Sequence, residues 1–314
     1  MTVPKYAFFE GRIVPYSEAR VGVLTHALNY GTGTFAGIRA YWNSEHQDLY
    51  IFRPLDHFRR LLNAAKLLAS FVDYTPEALA GIVGDLLRAE GYREDVYIRP
   101  LIYKADEIIG VRLHDIRTAL SICAIPIQRY LRDDEDAHVT VSSWRRVDDN
   151  AIPARGKICG AYVNSALART DAANAGFDEV LVLTQDGHLS EGSAMNVFIV
   201  RDGVLITPPV TDNILEGITR RTIIALAQQE LRLPVVERPI DRTEIYLCDE
   251  LLLTGTAAEV TAVTQVDHRP IGSGKMGPVA AELRRWYADV VRGRAPHYRE
   301  WVQAVYAAEK APAR

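Results

Sequence analysis

A lysine among small residues is the first candidate for covalent chemistry. Lys157 is one of six lysines and lies within residues 155–162, where glycine and alanine recur just before a predicted helix. A lysine that forms a Schiff base needs a partly buried amine with a lowered pKa, and room for a flat ring. Small neighbours leave that room, so Lys157 could bind a carbonyl cofactor. The alternative is an ordinary surface loop.

An acidic residue and a helix start could hold the rest of such a cofactor. Glu191 follows a predicted hairpin turn, and its carboxylate could face the ring nitrogen of pyridoxal phosphate (PLP), whose protonated ring is an electron sink. Residues 215–220 open a predicted helix, where N–H groups bind phosphate well. Residues 254–259 offer another hydroxyl, and Arg53 could give a charge-assisted contact. The alternatives are an exposed turn carboxylate and an ordinary threonine near a helix start.

Three glycines lie close together beside aromatic residues. Gly31, Gly33 and Gly37 fall within seven residues of one another, next to Tyr30 and Phe35. Glycine-rich backbone of this kind often marks a place where the chain comes close to a ligand. A loop that only turns is the alternative.

The spacing of apolar residues and the positions of turn residues predict an α+β fold in two domains. Strands and helices do not alternate strictly, as they would in a doubly wound sheet. The polar, charged residues 126–136 are predicted to be a linker between a small N-terminal α/β domain, 1–125, and a larger C-terminal domain, 137–314. A hairpin is predicted over 6–14, helices over 52–71, 75–91, 162–175, 217–230 and 278–291, and strands over 96–102, 119–125, 138–144, 180–184, 196–200, 204–207 and 250–254.

Bulk composition narrows the class of protein. The net charge of −4 and the scattered basic residues argue against nucleic-acid binding. Cys123, Cys159 and Cys248 are odd in number and far apart, which argues against a disulfide framework and against a zinc site, so no metal is expected. No signal peptide and no membrane span is predicted, and a reducing cytoplasm is the default location.

Taken together, these segments resemble the fold-type-IV PLP enzymes, and most closely the branched-chain amino acid aminotransferases. Seven short segments match motifs of the family and occur in the same order as in the family, whereas residues 297–314 carry no motif. The runs are residues 26–31, 97–101, 142–144, 157–162, 190–192, 217–220 and 255–259.

The resemblance implies a small α/β N-terminal domain, a larger pseudobarrel C-terminal domain, and a homodimer or an assembly of dimers. It implies ping-pong transamination between branched-chain L-amino acids and 2-oxoglutarate, with pyridoxal 5'-phosphate as cofactor. Lys157 would be the Schiff-base lysine and proton shuttle, Tyr162 would hydrogen-bond the phenolic oxygen, and Glu191 would pair with the ring nitrogen. The other cofactor-binding residues would be Arg53, Leu215, Gly217, Ile218, Thr219 and Thr256, and the substrate-binding residues Tyr30, Phe35, Gly37, Tyr97, Arg99, Thr256 and Ala257.

The chain departs from the family in three places near the substrate pocket. Ala36 and Ile127 replace residues that are usually Glu and often Trp, and the segment after Lys104 carries Arg112. Three alternatives follow. One is a D-amino acid or (R)-amine transaminase with Arg112 as a carboxylate ligand, another is a lyase such as aminodeoxychorismate lyase, and the last is a PLP-binding protein without turnover.

One pocket must accept both an apolar side chain and the γ-carboxylate of glutamate. Tyr30, Phe35 and Tyr130 could supply the apolar wall. Arg99 could meet the carboxylate through a charge-assisted bond. The alternative is that Arg99 has only a structural role in its strand.

Overall fold

The computed structural model describes residues 3–127 and 137–307, and the chain divides into two compact units. Unit 1 comprises Met1–Gln128, Gly156–Gly160 and Asp289–Arg314, and unit 2 comprises Arg129–Arg155 and Ala161–Ala288. Two segments that the sequence places in the C-terminal domain, one of them carrying Lys157, therefore belong to unit 1. The linker stays a prediction, because residues 128–136, including Tyr130, lie outside the described residues.

The described residues form the following strands and helices, and none of these helices is long and apolar enough to cross a membrane. The strands are β1 (Tyr6–Phe9), β2 (Arg12–Pro15), β3 (Gly33–Phe35), β4 (Ile38–Asn43), β5 (Asp48–Phe52), β6 (Val96–Lys104), β7 (Thr118–Pro126), β8 (Ala137–Arg145), β9 (Glu179–Leu183), β10 (Leu189–Gly192), β11 (Asn196–Arg201), β12 (Val204–Thr207), β13 (Val235–Glu237), β14 (Glu250–Gly255), β15 (Glu259–Val266), β16 (Arg269–Pro270) and β17 (Val302–Ala304). The α-helices are α1 (His26–Tyr30), α2 (Pro54–Leu67), α3 (Pro76–Glu90), α4 (Tyr162–Asn174), α5 (Ile218–Gln229) and α6 (Pro278–Val291).

Unit 1 is built on an antiparallel sheet. Its strand order is β17-β5-β4-β6-β7-β1-β2, and β3 pairs with β6. Helices α2 and α3 contribute Phe58, Leu61, Leu79 and Val83 to one apolar core with the sheet. Burial of this apolar surface is the main force that stabilises the unit.

Unit 2 is built on a mixed sheet. Its strand order is β10-β9-β8-β15-β14-β11-β12-β13, with β16 paired to β15. β8 runs parallel to both β9 and β15, and β12 runs parallel to β13. The apolar core includes Leu181, Val197, Leu251 and Val263. Helices and mixed or antiparallel sheets together confirm the α+β class.

Local signals in the sequence predict several elements correctly. Thr75 caps α3 by accepting a hydrogen bond from the Ala78 N–H at 3.1 Å, and Gly91 ends the helix in the left-handed conformation, with φ 74°. Glu10 and Gly11 both have positive φ in the turn of the predicted hairpin, as a two-residue turn of this kind requires. These signals are local, so they do not depend on the rest of the fold.

Strands β4 and β5 were not predicted. Nearly all of their residues are buried, so the alternation of apolar and polar residues that marks a half-buried strand is absent. The turn between them contains no glycine, and Gln47 adopts the positive φ of 48° instead. Both usual signals for a hairpin are therefore missing from this segment.

Candidate active site

The segment that carries Lys157 is bonded to strand β3. The carbonyl oxygen of Lys157 accepts hydrogen bonds from the Phe35 N–H at 3.1 Å and the Thr34 hydroxyl at 3.2 Å. Thr34 also forms an isolated antiparallel bridge with Ile158. The main chain on both sides of the half-buried Lys157 is thus held by contacts with strand β3.

Glycine is required where this segment meets α1. Gly31 has φ 67°, and a Cβ atom at this position would lie 2.8 Å from the Gly160 Cα atom. The Gly160 N–H donates to the Gly31 carbonyl oxygen at 3.2 Å. The glycines beside Lys157 and in the 31–37 cluster therefore allow two main-chain segments to approach closely. This approach is between two parts of the main chain, so close approach to a ligand stays a prediction.

One aromatic ring brings the candidate lysine and arginine together. The Lys157 Nζ atom lies 5.3 Å from the centroid of the Phe35 ring, and the Arg99 guanidinium carbon lies 4.4 Å from the same centroid. Both Arg99 Nε and Nη2 donate to the Tyr97 hydroxyl, at 3.1 and 2.8 Å. A Cβ atom at Gly37 would fall 2.4 Å from that hydroxyl oxygen. We call Phe35, Gly37, Tyr97, Arg99 and Lys157 the Phe35 group.

Two thiols also lie near Arg99. Burial raises the pKa of the Cys159 thiol and of the Cys123 thiol, while the positive charge of Arg99 acts on both in the opposite direction. Both thiols are therefore protonated at neutral pH and are poor nucleophiles. Arg99 remains the charged group beside the lysine segment.

Tyr30 belongs to a neighbouring part of unit 1. Its ring packs on His26 with centroids 4.6 Å apart, and its hydroxyl accepts a hydrogen bond from the Gly110 N–H at 3.1 Å. The exposed Arg112 follows this loop, and its N–H donates to the Gly110 carbonyl oxygen. These bonds join Tyr30 to the loop of Arg112 rather than to the Phe35 group.

Arg53 stands immediately before α2. Its Nε atom lies 2.7 Å from the Asp56 Oδ2 atom, and its side chain is 11% exposed. Its main chain is left-handed, with φ 46° and ψ 48°, and Pro54 begins the helix. A nearly buried guanidinium held by a carboxylate can still donate to an anion, because the group carries five N–H donors.

Glu191 is the centre of a buried polar network in unit 2. Its Oε1 atom forms an ion pair with the Arg146 Nη2 atom at 2.8 Å, and its Oε2 atom accepts from the Leu215 N–H at 3.1 Å. The Asn196 amide donates to the same oxygen at 3.3 Å and to the Leu215 carbonyl at 2.9 Å. Glu191 is only 4% exposed, so the alternative of an exposed turn carboxylate is wrong.

The start of α5 has no capping side chain, and a helix start of this kind can bind an anion. Gly217 occupies the N-cap position, and glycine has no side chain that could accept from the amides of the first turn. A Cβ atom there would lie 2.0 Å from the Asn196 Oδ1 atom, so no larger residue fits. Ile218 and Thr219 form the first turn and are buried. The next residue is Arg220, whose Nη2 atom forms an ion pair with the Glu237 Oε2 atom at 2.7 Å.

The remaining candidates lie close to this network or begin a helix. Thr256 and Ala257 lie in the turn after β14, and β14 pairs with β11 so that Thr254 stands opposite Asn196. Tyr162 is the first residue of α4 and is half-buried. Unit 2 therefore gathers Glu191, Leu215, Gly217 and Thr254 around Asn196.

Sequence reasoning missed Arg146, Asn196 and Asp56. Arg146 lies two residues after the run 142–144, and Asn196 lies five residues after Glu191, so both are near motifs. Their types alone give no signal, because arginines and asparagines are common in loops. Arg146 acts through Glu191, a partner that only the folded chain brings close.

Comparison with known proteins gives a consistent family. A profile described as amino-transferase class IV matches residues 33–266. A probable branched-chain-amino-acid aminotransferase of Aquifex aeolicus is 46% identical over 301 residues, 96% of this chain and 97% of that protein. A branched-chain-amino-acid aminotransferase of Escherichia coli is 37% identical over 311 residues, 97% of this chain and 99% of that protein.

Solved structures are similar over almost the whole chain. The branched-chain aminotransferase of Thermoproteus uzoniensis with norvaline has a TM-score of 0.92 at 42% identity, covering 97% of this chain and 100% of that one. The branched-chain amino acid aminotransferase of Thermobaculum terrenum, in its PLP form, has a TM-score of 0.92 at 41% identity, covering 96% of this chain and 98% of that one.

Proposed function

Because this chain belongs to the class IV aminotransferases, we propose that it catalyses transamination between branched-chain L-amino acids and 2-oxoglutarate, with pyridoxal 5'-phosphate as cofactor. The fold-type-IV architecture that the resemblance implies is confirmed by the similar solved structures. One observation carries the proposal furthest. The Lys157 amine and the Arg99 guanidinium, one for chemistry and one for carboxylate binding, both lie on the Phe35 ring.

The residues present fit the cofactor. Unit 1 offers a half-buried lysine whose main chain is fixed, and unit 2 offers a buried carboxylate and a helix start capped by glycine. A Cβ atom at Gly217 would lie 2.0 Å from Asn196 Oδ1, so the N-cap of that helix must be a glycine and has no capping side chain of its own. When bound, pyridoxal 5'-phosphate supplies an electron sink for the electrons released when the substrate Cα–H bond breaks.

Lys157 and Glu191 are the two residues that move or hold protons in the proposed reaction. Lys157 would hold the cofactor through its Nζ atom, and the same amine would take the proton from the substrate Cα atom. Glu191 keeps a proton on the ring nitrogen, and Arg146 and the Leu215 N–H hold its carboxylate in place. The same residues act in both half-reactions, since the second oxo acid enters after the first has left.

Other residues bind and orient the cofactor. Arg53 and the first-turn amides of α5 bind its phosphate, together with the hydroxyls of Thr219 and Thr256. Tyr162 donates to its phenolic oxygen. Leu215 and Gly217 shape the main chain around the network of Asn196.

Substrate binding is assigned to the Phe35 group, Tyr30 and Ala257. The Phe35 ring forms an apolar wall for a branched aliphatic side chain. Tyr97 and the 256–257 turn bind the α-carboxylate, and Arg99 binds the second carboxylate of glutamate. The double hydrogen bond from Arg99 to the Tyr97 hydroxyl supports this division, because it orients the exposed guanidinium beside the Phe35 ring.

Arg99→Ala should separate the two half-reactions. A charge-assisted hydrogen bond contributes about 1.5–3 kcal/mol, so the rate with glutamate should fall roughly 10- to 100-fold. The rate with leucine should change by less than about threefold. Single-turnover absorbance changes of the purified enzyme with each donor measure both rates.

Arg112→Ala is the matched control for this experiment. Arg112 is an exposed arginine of the same unit, and its side chain has no assigned role in the proposed reaction. Arg112→Ala should leave the rates with glutamate and with leucine unchanged. Equal losses for both donors in Arg99→Ala would leave Arg99 with a structural role. D-alanine or (R)-1-phenylethylamine reacting faster than leucine would overturn the proposed substrate class.

The proposed assembly is a homodimer, and the surface of unit 1 supports it. The His26 N–H donates to the Asp106 carbonyl oxygen at 2.9 Å, which brings two exposed apolar segments together. An exposed apolar patch of this kind is typical of a protein interface. The patch consists of Val23, Leu28, Ile109 and Val111, which are 79, 63, 69 and 93% exposed.

Leu28→Asp should weaken the dimer about 100-fold or more, because an unpaired charge in an apolar interface is costly. Light scattering after size-exclusion chromatography over a dilution series measures this. Val236→Asp changes a 41% exposed valine outside the patch and should leave the mass unchanged. A wild-type monomer at all concentrations would contradict the assembly.

We place the enzyme in the cytoplasm. Cys123, Cys159 and Cys248 are all free, which suits a reducing compartment.

A further inference from the structure

The C-terminal part of unit 1 reaches Arg53, although it lies beyond the region matched by the family profile. Strand β17 pairs antiparallel with β5, with Val302 opposite Phe52. The preceding residue, Trp301, accepts a hydrogen bond at its carbonyl oxygen from the Arg53 N–H, at 2.6 Å. Strand β17 therefore begins beside the proposed phosphate-binding arginine.

Trp301 also contacts the side chain of Arg53. The guanidinium carbon lies 4.8 Å from the centroid of the Trp301 ring, a cation–π geometry. The Trp301 ring packs in turn on Tyr298, with centroids 4.5 Å apart, and Tyr298 is buried. Together with the Asp56 carboxylate, this stack holds the guanidinium in one orientation.

The main chain of Arg53 depends on the same contact. Its left-handed conformation is uncommon for a residue with a Cβ atom. The next residue, Pro54, is the first residue of α2. The hydrogen bond to Trp301 satisfies the Arg53 N–H in this conformation. Residue 301 thus contacts Arg53 twice, through its main-chain carbonyl and through the Trp301 ring.

We propose that Trp301 is a positioning residue for cofactor retention, which holds the Arg53 guanidinium ready to bind the phosphate. This inference rests on the proposed function, because it requires Arg53 to contact the cofactor. An arginine that rotates freely loses side-chain entropy when it binds, whereas one already held by a ring loses less. Without the ring, the phosphate is bound more weakly even though Arg53 is present.

Trp301→Leu should raise the Kd of the apoenzyme for pyridoxal 5'-phosphate about tenfold, as loss of a partly desolvated cation–π contact predicts. Equilibrium titration followed by cofactor absorbance measures it. Trp301→Phe keeps an aromatic face and should bring the Kd within about threefold of wild type. Trp286→Leu is the matched control, because Arg285 lies 4.9 Å over that ring on α6, and it should leave the Kd unchanged.

Arg53→Ala and the double variant separate the possible failures. In an Arg53→Ala background, Trp301→Leu should cause no further loss, because the ring acts through the arginine. Additive losses of cofactor affinity in the double variant would overturn the inference. A rise in Kd in Trp301→Leu that Trp301→Phe does not reverse, and that accompanies lower thermal stability of the apoenzyme, would also overturn it. An unchanged Kd in Arg53→Ala alone would instead overturn the phosphate role of Arg53.

Discussion

Lys157→Ala should lower the rate of transamination by at least about 10⁴-fold, because one side chain supplies both the covalent link and the proton transfer. The substitution should not disturb the fold. The contacts that fix this segment use the Lys157 carbonyl oxygen, which accepts from the Phe35 N–H and the Thr34 hydroxyl in either variant. Steady-state assays with leucine and 2-oxoglutarate measure the loss.

Borohydride reduction of the holoenzyme, followed by peptide mapping, provides the direct test. It should fix the cofactor to the peptide that contains Lys157. Lys66→Ala is the control, because Lys66 is exposed and only hydrogen-bonds Asn63 on the surface of α2. A label on another lysine, or Lys157→Ala activity above about one-hundredth of wild type, would refute the assignment.

Glu191→Gln should reduce kcat about 10²- to 10³-fold while the enzyme still binds its cofactor. Glutamine keeps the size of the side chain and an oxygen that can accept from the Leu215 N–H. Its neutral amide cannot keep a proton on the ring nitrogen, so the electron sink weakens. Measurement of kcat alongside the cofactor absorbance spectrum separates loss of chemistry from loss of binding.

A second buried ion pair of unit 2 supplies the control. Glu191→Gln leaves Arg146 without its carboxylate, which could destabilise the unit by itself. Glu179 is fully buried and lies 3.2 Å from Arg169, so Glu179→Gln removes a comparable pair that has no assigned role in the reaction. It should lower thermal stability without lowering kcat. Equal effects on kcat from both substitutions would be incompatible with the role of Glu191.

The sequence predicts whatever is determined locally. The helix predicted over 75–91, capped by Thr75 and ended by Gly91, depends on a few neighbouring residues. So do the strands predicted over 196–200 and 204–207, which the Asp202-Gly203 turn connects. The family motifs extend this to the candidate site, since Lys157 and Glu191 could be named from their runs. Their roles toward the cofactor stay predictions.

Contacts over long sequence distances could not be predicted. Thr34 and Lys157 are 123 residues apart, and nothing in either segment indicates that they pair. The assignment of residues 156–160 to unit 1 follows from that pairing. Arg146 and Trp301 escaped notice for the same reason, because the carboxylate of Glu191 and the guanidinium of Arg53 that give them a role are distant in sequence.

The pairing of β17 with β5 has a consequence for synthesis of the protein. Asp48, at the start of β5, accepts a hydrogen bond from the N–H of Val305, just after β17, and the two are 257 residues apart. At about 5–20 residues per second, the ribosome exposes the β5 edge roughly 13–50 s before its partner strand emerges. During that interval the edge can pair with other nascent chains. Arg53 also lacks its contact with the Trp301 ring until then.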